Sequence, residues 1–282
     1  LKVGDHRPHL PVAWDDTSRQ LDTIFEGALL ESREIDGLTL TAGRFWEVVT
    51  RESSNKEDLY LWGYRGTERS SGLDFAGASY DVTGGLNLTY FMAKLNDFYA
   101  QKYAGLTYKT RFSDMMSVTD VRYFKNTEDG DAYAGDLDSR ALGVKTALMT
   151  GGHMVSLAYQ KMNGDSFFPT MNGYVPQPYL VNWSSTAFVR PDEKSIALAY
   201  AYDFKSSVPG LKLFARYIKG TDVDVGTETD ATESEKNLYL SYALQDTMFK
   251  GLTFDLRNIR VAKSFAAGYN EYRFITSYTV NF

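Results

Sequence analysis

SIALAYAYDF (195–204) carries a large apolar side chain at every second position. One parity holds the large residues, which are Ile196, Leu198, Tyr200, Tyr202 and Phe204. The other parity holds Ser, Ala and Asp. Successive side chains of a β-strand point to opposite faces, so this period of two predicts a strand with one apolar and one polar face.

The same alternation recurs along the chain in pieces of about ten residues, which predicts about 13 strands and no convincing helix. The first complete segment is IFEGALL (24–30), and a fragment, LKVG (1–4), precedes it. The last segment is EYRFITSYTVNF (271–282), in which Tyr272, Phe274 and Tyr278 share a face with Val280 and Phe282.

The connections between these segments alternate in length. The short ones are 34–37, 82–85, 113–116, 150–153, 205–210 and 245–251. The long ones are 46–73, 94–101, 125–139, 161–194, 219–236 and 262–270. Because short and long connections take turns, all long loops would lie at one end of the sheet. This asymmetry predicts a transmembrane antiparallel β-barrel of the Gram-negative outer membrane, with tight periplasmic turns and long outer loops. A soluble all-β protein is the alternative.

Composition fits a barrel and excludes several classes of site. The chain has 282 residues and 15% aromatic residues, with 20 Tyr and 17 Phe, and tyrosine suits a membrane–water interface. Mean hydropathy is −0.34, and no run approaches the ~18 apolar residues of a membrane-spanning helix. The absence of Cys excludes disulfides, thiol catalysis and Cys-based zinc sites. The net charge of −6 argues against nucleic acid as a partner.

Basic residues recur on the polar parity of the predicted strands, which would face the lumen. They are Lys109, Arg122, Lys145, Arg216, Arg257 and Arg273. Lumen acids such as Asp120 and Asp255 are fewer. Guanidinium groups bind carboxylates in a bidentate manner. If these side chains lie at successive heights along the barrel axis, a carboxylate could pass from one to the next. The alternative is that these arginines only pair with lumen acids and stiffen the wall.

Several blocks carry a resemblance to a known family by their order and spacing. They are HLPVAWDDTSRQLDTIFEGALL (9–30), RESSNKEDL (51–59), PYLVNW (178–183), VPGLKLFARYIKGTDVD (208–224) and YRFITSYTV (272–280). The chain resembles the OprD-like (Occ) outer-membrane carboxylate channels of pseudomonads. The resemblance implies an 18-stranded monomeric barrel surrounded by lipid and lipopolysaccharide. About 13 to 14 of its strands lie in this chain, which we expect to be the C-terminal two-thirds of a single barrel domain.

The resemblance also assigns roles to two connections. Residues 5–22 would fold into the barrel as the constriction, with Arg19 lining it and Asp15, Asp16 and Ser18 nearby; an ordinary outer loop is the alternative. Residues 161–194 would form a long extracellular loop that packs inward, where Tyr179 and Asn182 either contact substrate or only pack. Arg216, Arg257 and Arg273 would belong to the basic ladder of the family. The acidic run 222–235 would be a solvated outer loop.

The sequence therefore favours a porin for passive, substrate-selective diffusion of small carboxylates, with no catalytic residue, cofactor or metal. A plugged structural or adhesin barrel is one alternative. An outer-membrane enzyme is another, although the three histidines show no Ser–His pattern. The channel interpretation leaves aromatic or cyclic monocarboxylates and basic amino acids open as substrates. Basic amino acids need an acidic site, for which Asp15 and Asp16 are the candidates, and we favour a monocarboxylate.

Overall fold

The computed structural model describes residues 1–19, 21–226, 228–245 and 248–279. In these residues there is no helix, and so none that could span a membrane. The strands are β1 (Lys2–His6), β2 (His9–Leu10), β3 (Ala13–Trp14), β4 (Ile24–Ile35), β5 (Leu38–Val49), β6 (Lys56–Asp58), β7 (Leu73–Thr83), β8 (Leu86–Leu95), β9 (Tyr99–Phe112), β10 (Met115–Glu128), β11 (Asp138–Thr150), β12 (His153–Asn163), β13 (Lys194–Asp203), β14 (Leu211–Val225), β15 (Glu228–Ala243), β16 (Leu252–Lys263) and β17 (Tyr269–Tyr278).

Fifteen of the strands form a single antiparallel sheet in which sequence neighbours pair. Its order is β1-β4-β5, then β7 to β17 consecutively, while β6 pairs with β5 beside this path. The short ribbon β2–β3 stands apart from the sheet. In the described part of the chain, β1 and β17 are the two ends of the order. This consecutive antiparallel topology confirms the predicted all-β barrel architecture.

The two faces of the sheet differ as the sequence parity predicts. The outer face leaves large apolar side chains exposed, among them Leu157, Leu198, Tyr217, Leu238, Leu256 and Phe274. On the opposite face of β13, Ser195, Ala197 and Ala199 are buried. Exposed apolar residues are spread over successive strands, so the outer face matches a lipid environment and not water.

Two connections lie against the inner face and fill part of it. The predicted bounds 5–22 and 161–194 are too wide, because 5–6 belong to β1, 161–163 to β12 and 194 to β13. We therefore call residues 7–23 the inner loop and residues 164–193 the long connection. Inner-face aromatic residues such as Phe25 and Tyr103 join one buried cluster with Val12 of the inner loop and Met171 and Tyr174 of the long connection. The Tyr174 hydroxyl donates to the Pro11 carbonyl at 2.5 Å. Aromatic packing therefore holds both connections within the curve of the sheet.

Several predicted boundaries need correction. Residues 96–98 alone join β8 to β9, so 94–101 is not a long loop. The segment 219–236 is not a loop either, because β14 and β15 continue to Val225 and from Glu228, with a register shift between Gly220 and Val223. Beyond the apolar band, the polar ends of these two strands keep their backbone hydrogen bonds. Their sequence no longer alternates with apolar residues, so it resembles the sequence of a loop. Val280 and Phe282 lie outside the described residues.

Candidate functional site

A cavity of about 1750 Å³ lies between the inner loop, the long connection and the wall formed by β14 to β17. Its lining includes the predicted residues Asp15, Asp16, Ser18, Arg19, Arg216, Arg257 and Arg273. The structure thus brings together the inner-loop candidates and the arginines of three wall strands, β14, β16 and β17. The cavity also contains groups that the sequence did not single out, which are Arg51, Glu52, Tyr239 and Glu271.

Three predicted basic residues lie on the inner face but outside the described lining of this cavity. Arg122 on β10 donates to the Tyr103 hydroxyl at 2.7 Å and pairs with Asp120 at 2.5 Å. Lys109 on β9 lies beside the β7–β8 turn, with its backbone N–H bonded to Gly85 at 2.7 Å. Lys145 on β11 lies across from Asp120 in the strand register.

Two of the wall arginines, Arg257 and Arg273, have an acidic neighbour two residues away on the same strand. Arg273 forms two hydrogen bonds with Glu271, at 2.5 Å and 2.9 Å. Arg257 pairs with Asp255 across a longer 3.5 Å, and its guanidinium lies over the Tyr239 ring at 5.3 Å. Residues i and i+2 of a strand share a face, so an acid–x–Arg pattern is a readable signal for such pairs. Arg273 is therefore largely engaged, whereas Arg257 is held loosely.

Arg216 belongs to a network that ties the long connection to the wall. Glu235 on β15 is buried and accepts hydrogen bonds from the Ser184 hydroxyl at 2.5 Å and the Thr186 N–H at 2.6 Å. Asn237 donates to Glu235 at 2.7 Å and accepts from Arg216 Nε at 3.0 Å. Arg216 also donates to the Ser184 hydroxyl. Glu235 therefore anchors this part of the long connection beside the Arg216 guanidinium.

Replacing Glu235 by Ala should release this anchor. The buried N–H of Thr186 and the side chains of Ser184 and Asn237 would lose their acceptor, and an unsatisfied buried group costs about 1–3 kcal/mol. We expect larger single-channel conductance and weaker discrimination between solutes, measured in planar bilayers. Glu235→Gln, which keeps an acceptor oxygen, should change conductance less; equal effects of both variants would contradict the anchoring role.

The inner-loop carboxylates are already paired. Asp15 is fully buried and lies 3.1 Å from Arg7 Nε and 3.0 Å from His9 Nε2. Asp16 accepts from the Ser18 N–H at 2.8 Å and forms an ion pair with Arg51 Nη1 at 2.7 Å. Their charges are therefore countered within the protein.

Arg19 contrasts with these paired groups. Its side chain is exposed to the cavity and, among the residues that the structure describes, donates to the Ser18 carbonyl at 3.3 Å. The described residues supply no ion pair to it within 4.0 Å. Arg19 is thus a cation that the nearby protein groups leave open to solutes.

Tyr179 and Asn182, whose predicted roles were open between substrate contact and packing, both contact protein groups. Asn182 is buried and donates to the Ser195 hydroxyl at 2.8 Å. Tyr179 packs edge-on against Trp14 and Tyr103, with centroid distances of 5.5 Å and 5.3 Å. These contacts support the packing alternative for both residues.

A pair of buried carboxyl groups fixes the end of the long connection. Glu193, between the strands β12 and β13, is packed beside Glu233 of β15, and Lys263 lies 3.2 Å from Glu233. The Arg190 N–H donates to Glu193 at 3.1 Å. Burial, and then the charge of Glu233, raise the pKa of Glu193 from the ordinary 4.5 to about 8.

This shift gives docking of the long connection a pH dependence. Between 4.5 and about 8, docked Glu193 holds a proton that the released side chain does not hold. Docking should therefore be firmest at low pH and weaken as pH rises toward 8. The protection of residues 180–193 against hydrogen exchange, taken relative to the intrinsic exchange rate at each pH, should fall over this window in the native protein and stay unchanged in Glu193→Gln. The neighbouring exposed acid serves as a control, since Asp192→Asn should retain the pH dependence.

Comparison with known proteins identifies the family. The model of the OprD family, described as an outer membrane porin family, matches residues 1–282. Porin D of Pseudomonas aeruginosa is 30% identical over 308 residues, covering 100% of this chain and 69% of that protein.

Solved structures agree with this assignment. OpdL of Pseudomonas aeruginosa superposes with a TM-score of 0.94 at 41% identity, covering 99% of this chain and 77% of that chain. OpdK of Pseudomonas aeruginosa, solved with vanillate, has a TM-score of 0.94 at 30% identity, covering 98% and 73%. With the whole chain matched and the barrel strands superposed, the chain belongs to the OprD family of outer membrane porins.

Proposed function

We propose that this porin allows substrate-selective, passive diffusion of small carboxylates across the outer membrane through a basic-lined lumen. The observation that carries the proposal is the coexistence of Arg19 and Arg257 in one cavity, each incompletely neutralised by the protein. A guanidinium that keeps free N–H groups binds a carboxylate by two parallel hydrogen bonds. Because each of these groups binds the carboxylate only weakly, the carboxylate is released to the next group and passes through the lumen.

In this proposal the inner loop forms the constriction, which narrows the lumen between Ser18–Arg19 and the wall. Arg257 would receive the carboxylate next, with Arg216 and Arg273 as weaker positions because their donors are already engaged. Lys109, Arg122 and Lys145 would extend the basic surface along the inner face beyond the cavity. Diffusion makes and breaks no covalent bond, so the proposal involves no enzyme activity and no cofactor. In the full-length protein a single chain would enclose the lumen, and lipid with lipopolysaccharide would surround its apolar face.

We infer an aromatic or cyclic monocarboxylate as the preferred solute. Tyr239 and Trp183 offer ring surfaces in the same cavity as the arginines, which suits a ring that carries one carboxylate. The solved relative with vanillate, an aromatic carboxylate, supports this class. A basic amino acid would need an unpaired acid, whereas Asp15 and Asp16 are paired with Arg7 and Arg51.

Uptake into proteoliposomes tests the proposal. The full-length protein would be reconstituted and supplied with labelled benzoate, arginine or a neutral sugar of similar size. We expect benzoate to enter faster than the sugar and the sugar at least as fast as arginine. Faster arginine would assign the channel to basic amino acids, and no entry of any solute would indicate a plugged structural barrel.

A further inference from the structure

Arg51 lies two residues beyond the end of β5, in the connection 50–72, and lines the same cavity as the inner loop. Its Nη1 contacts Asp16 Oδ2 at 2.7 Å and donates to the Ser18 hydroxyl. Its Nε is 3.6 Å from Glu52, whose side chain is 70% exposed. The guanidinium thus bridges two separate connections at the cavity wall.

Asp16 is held in place by hydrogen bonds to both its side chain and its backbone. The carboxylate is 9% exposed, and its Oδ1 accepts the Ser18 N–H at 2.8 Å while Oδ2 faces Arg51. The Thr23 N–H bonds to the Asp16 carbonyl at 3.2 Å, so the residue is fixed from its backbone as well. Without Arg51, a fixed negative charge would stand at the cavity wall beside Arg19, and it would counter the cation that Arg19 presents.

We propose that Arg51 is a specificity-determining residue that sets the sign of the charge at the constriction by neutralising Asp16. The inference rests on the proposed function, because it concerns how the same lumen selects anions. Its role differs from direct binding of the solute. Arg51 acts on Asp16, so that the Asp16 carboxylate does not oppose the positive charge of Arg19.

The test is the reversal potential of single channels in a potassium chloride gradient across planar bilayers. In Arg51→Gln the cation-to-anion permeability ratio should rise roughly threefold, because a net negative charge appears in a partly screened lumen. In Asp16→Asn the ratio should fall, since Arg51 then stands uncompensated. Arg65→Gln is the matched control, because this exposed arginine lies in the same connection but outside the described lining of the cavity.

The double variant D16N/R51Q separates the proposed role from two others. If Arg51 acts by neutralising Asp16, the cation-to-anion permeability ratio of the double variant should return to that of the wild type, because both charges are removed. If Arg51 bound passing anions directly, or only fixed the inner loop in place, the double variant would remain like R51Q, and the proposal would fail. Wild-type channels without anion selectivity would instead refute the proposed function, independently of how R51Q behaves.

Discussion

Replacing Arg257 by Ala is expected to lower benzoate uptake roughly tenfold and to leave uptake of a neutral sugar nearly unchanged. The Arg257 side chain is 36% exposed, its Nε is buried, and its Nη2 pairs with Asp255 only across 3.5 Å, so the terminal Nη groups can donate to a passing carboxylate. A hydrogen bond to a charged group contributes about 1.5–3 kcal/mol, which at the lower end corresponds to this factor. Initial rates into proteoliposomes would measure both solutes on the same preparation.

The same strand offers the control for this result. Arg260 lies three residues further along β16 with the opposite parity, and its side chain is exposed on the outer side of the sheet. Arg260→Ala removes an equal charge without touching the lumen and should leave benzoate uptake unchanged. Equal loss of benzoate and sugar uptake in Arg257→Ala would mean that Arg257 only shapes the pore.

Placing a charge on the apolar outer face should destabilise the folded protein strongly. Leu198 lies in the middle of β13, is 56% exposed, and stands across from Leu157 and Tyr217 in the strand register. A charged arginine near the membrane midplane of a barrel costs about 2–4 kcal/mol. Leu198→Arg should reduce the free energy of unfolding in lipid vesicles by that amount, measured by denaturant titration.

A substitution on the inner face of the same strand provides the comparison. Ala201 on β13 lines a second cavity of about 590 Å³, which has room for a longer polar side chain and is lined by the acids Asp114 and Asp203 as well as by Arg111 and Lys212. Ala201→Arg should therefore change the free energy of unfolding by less than about 1 kcal/mol. If both variants were destabilised equally, the assignment of the outer face to lipid would be wrong.

Side-chain parity made much of the fold predictable from sequence. The alternation in residues 195–204 correctly assigns Leu198 to the outer face and Ala197 to the buried inner face. It succeeds because a strand has a fixed period of two and because lipid demands one apolar face. Beyond the membrane neither face of a strand has to be apolar, so the alternation in the sequence is lost. For this reason the polar ends of β14 and β15 have the sequence pattern of a loop.

The candidate site was predictable only in part. Parity correctly places Arg216, Arg257 and Arg273 on the inner face, and the structure gathers them in one cavity with Arg19. Parity carries no information on which inner-loop acid meets which distant cation. The pairing of Asp16 with Arg51 and the anchoring of Ser184 by Glu235 depend on contacts between separate segments, 35 and 51 residues apart in sequence. No local sequence pattern predicts which residues form such pairs.

The most direct test of the central claim is the reversal potential of the wild-type, full-length channel in a gradient of sodium benzoate across a planar bilayer. The arrangement of Arg19 and Arg257 predicts that the channel is more permeable to benzoate than to sodium, and that the sign of the reversal potential is the one expected for such a channel. A reversal potential set by sodium would contradict the account, because it would show that the lumen acids, and not the arginines, determine which ions pass.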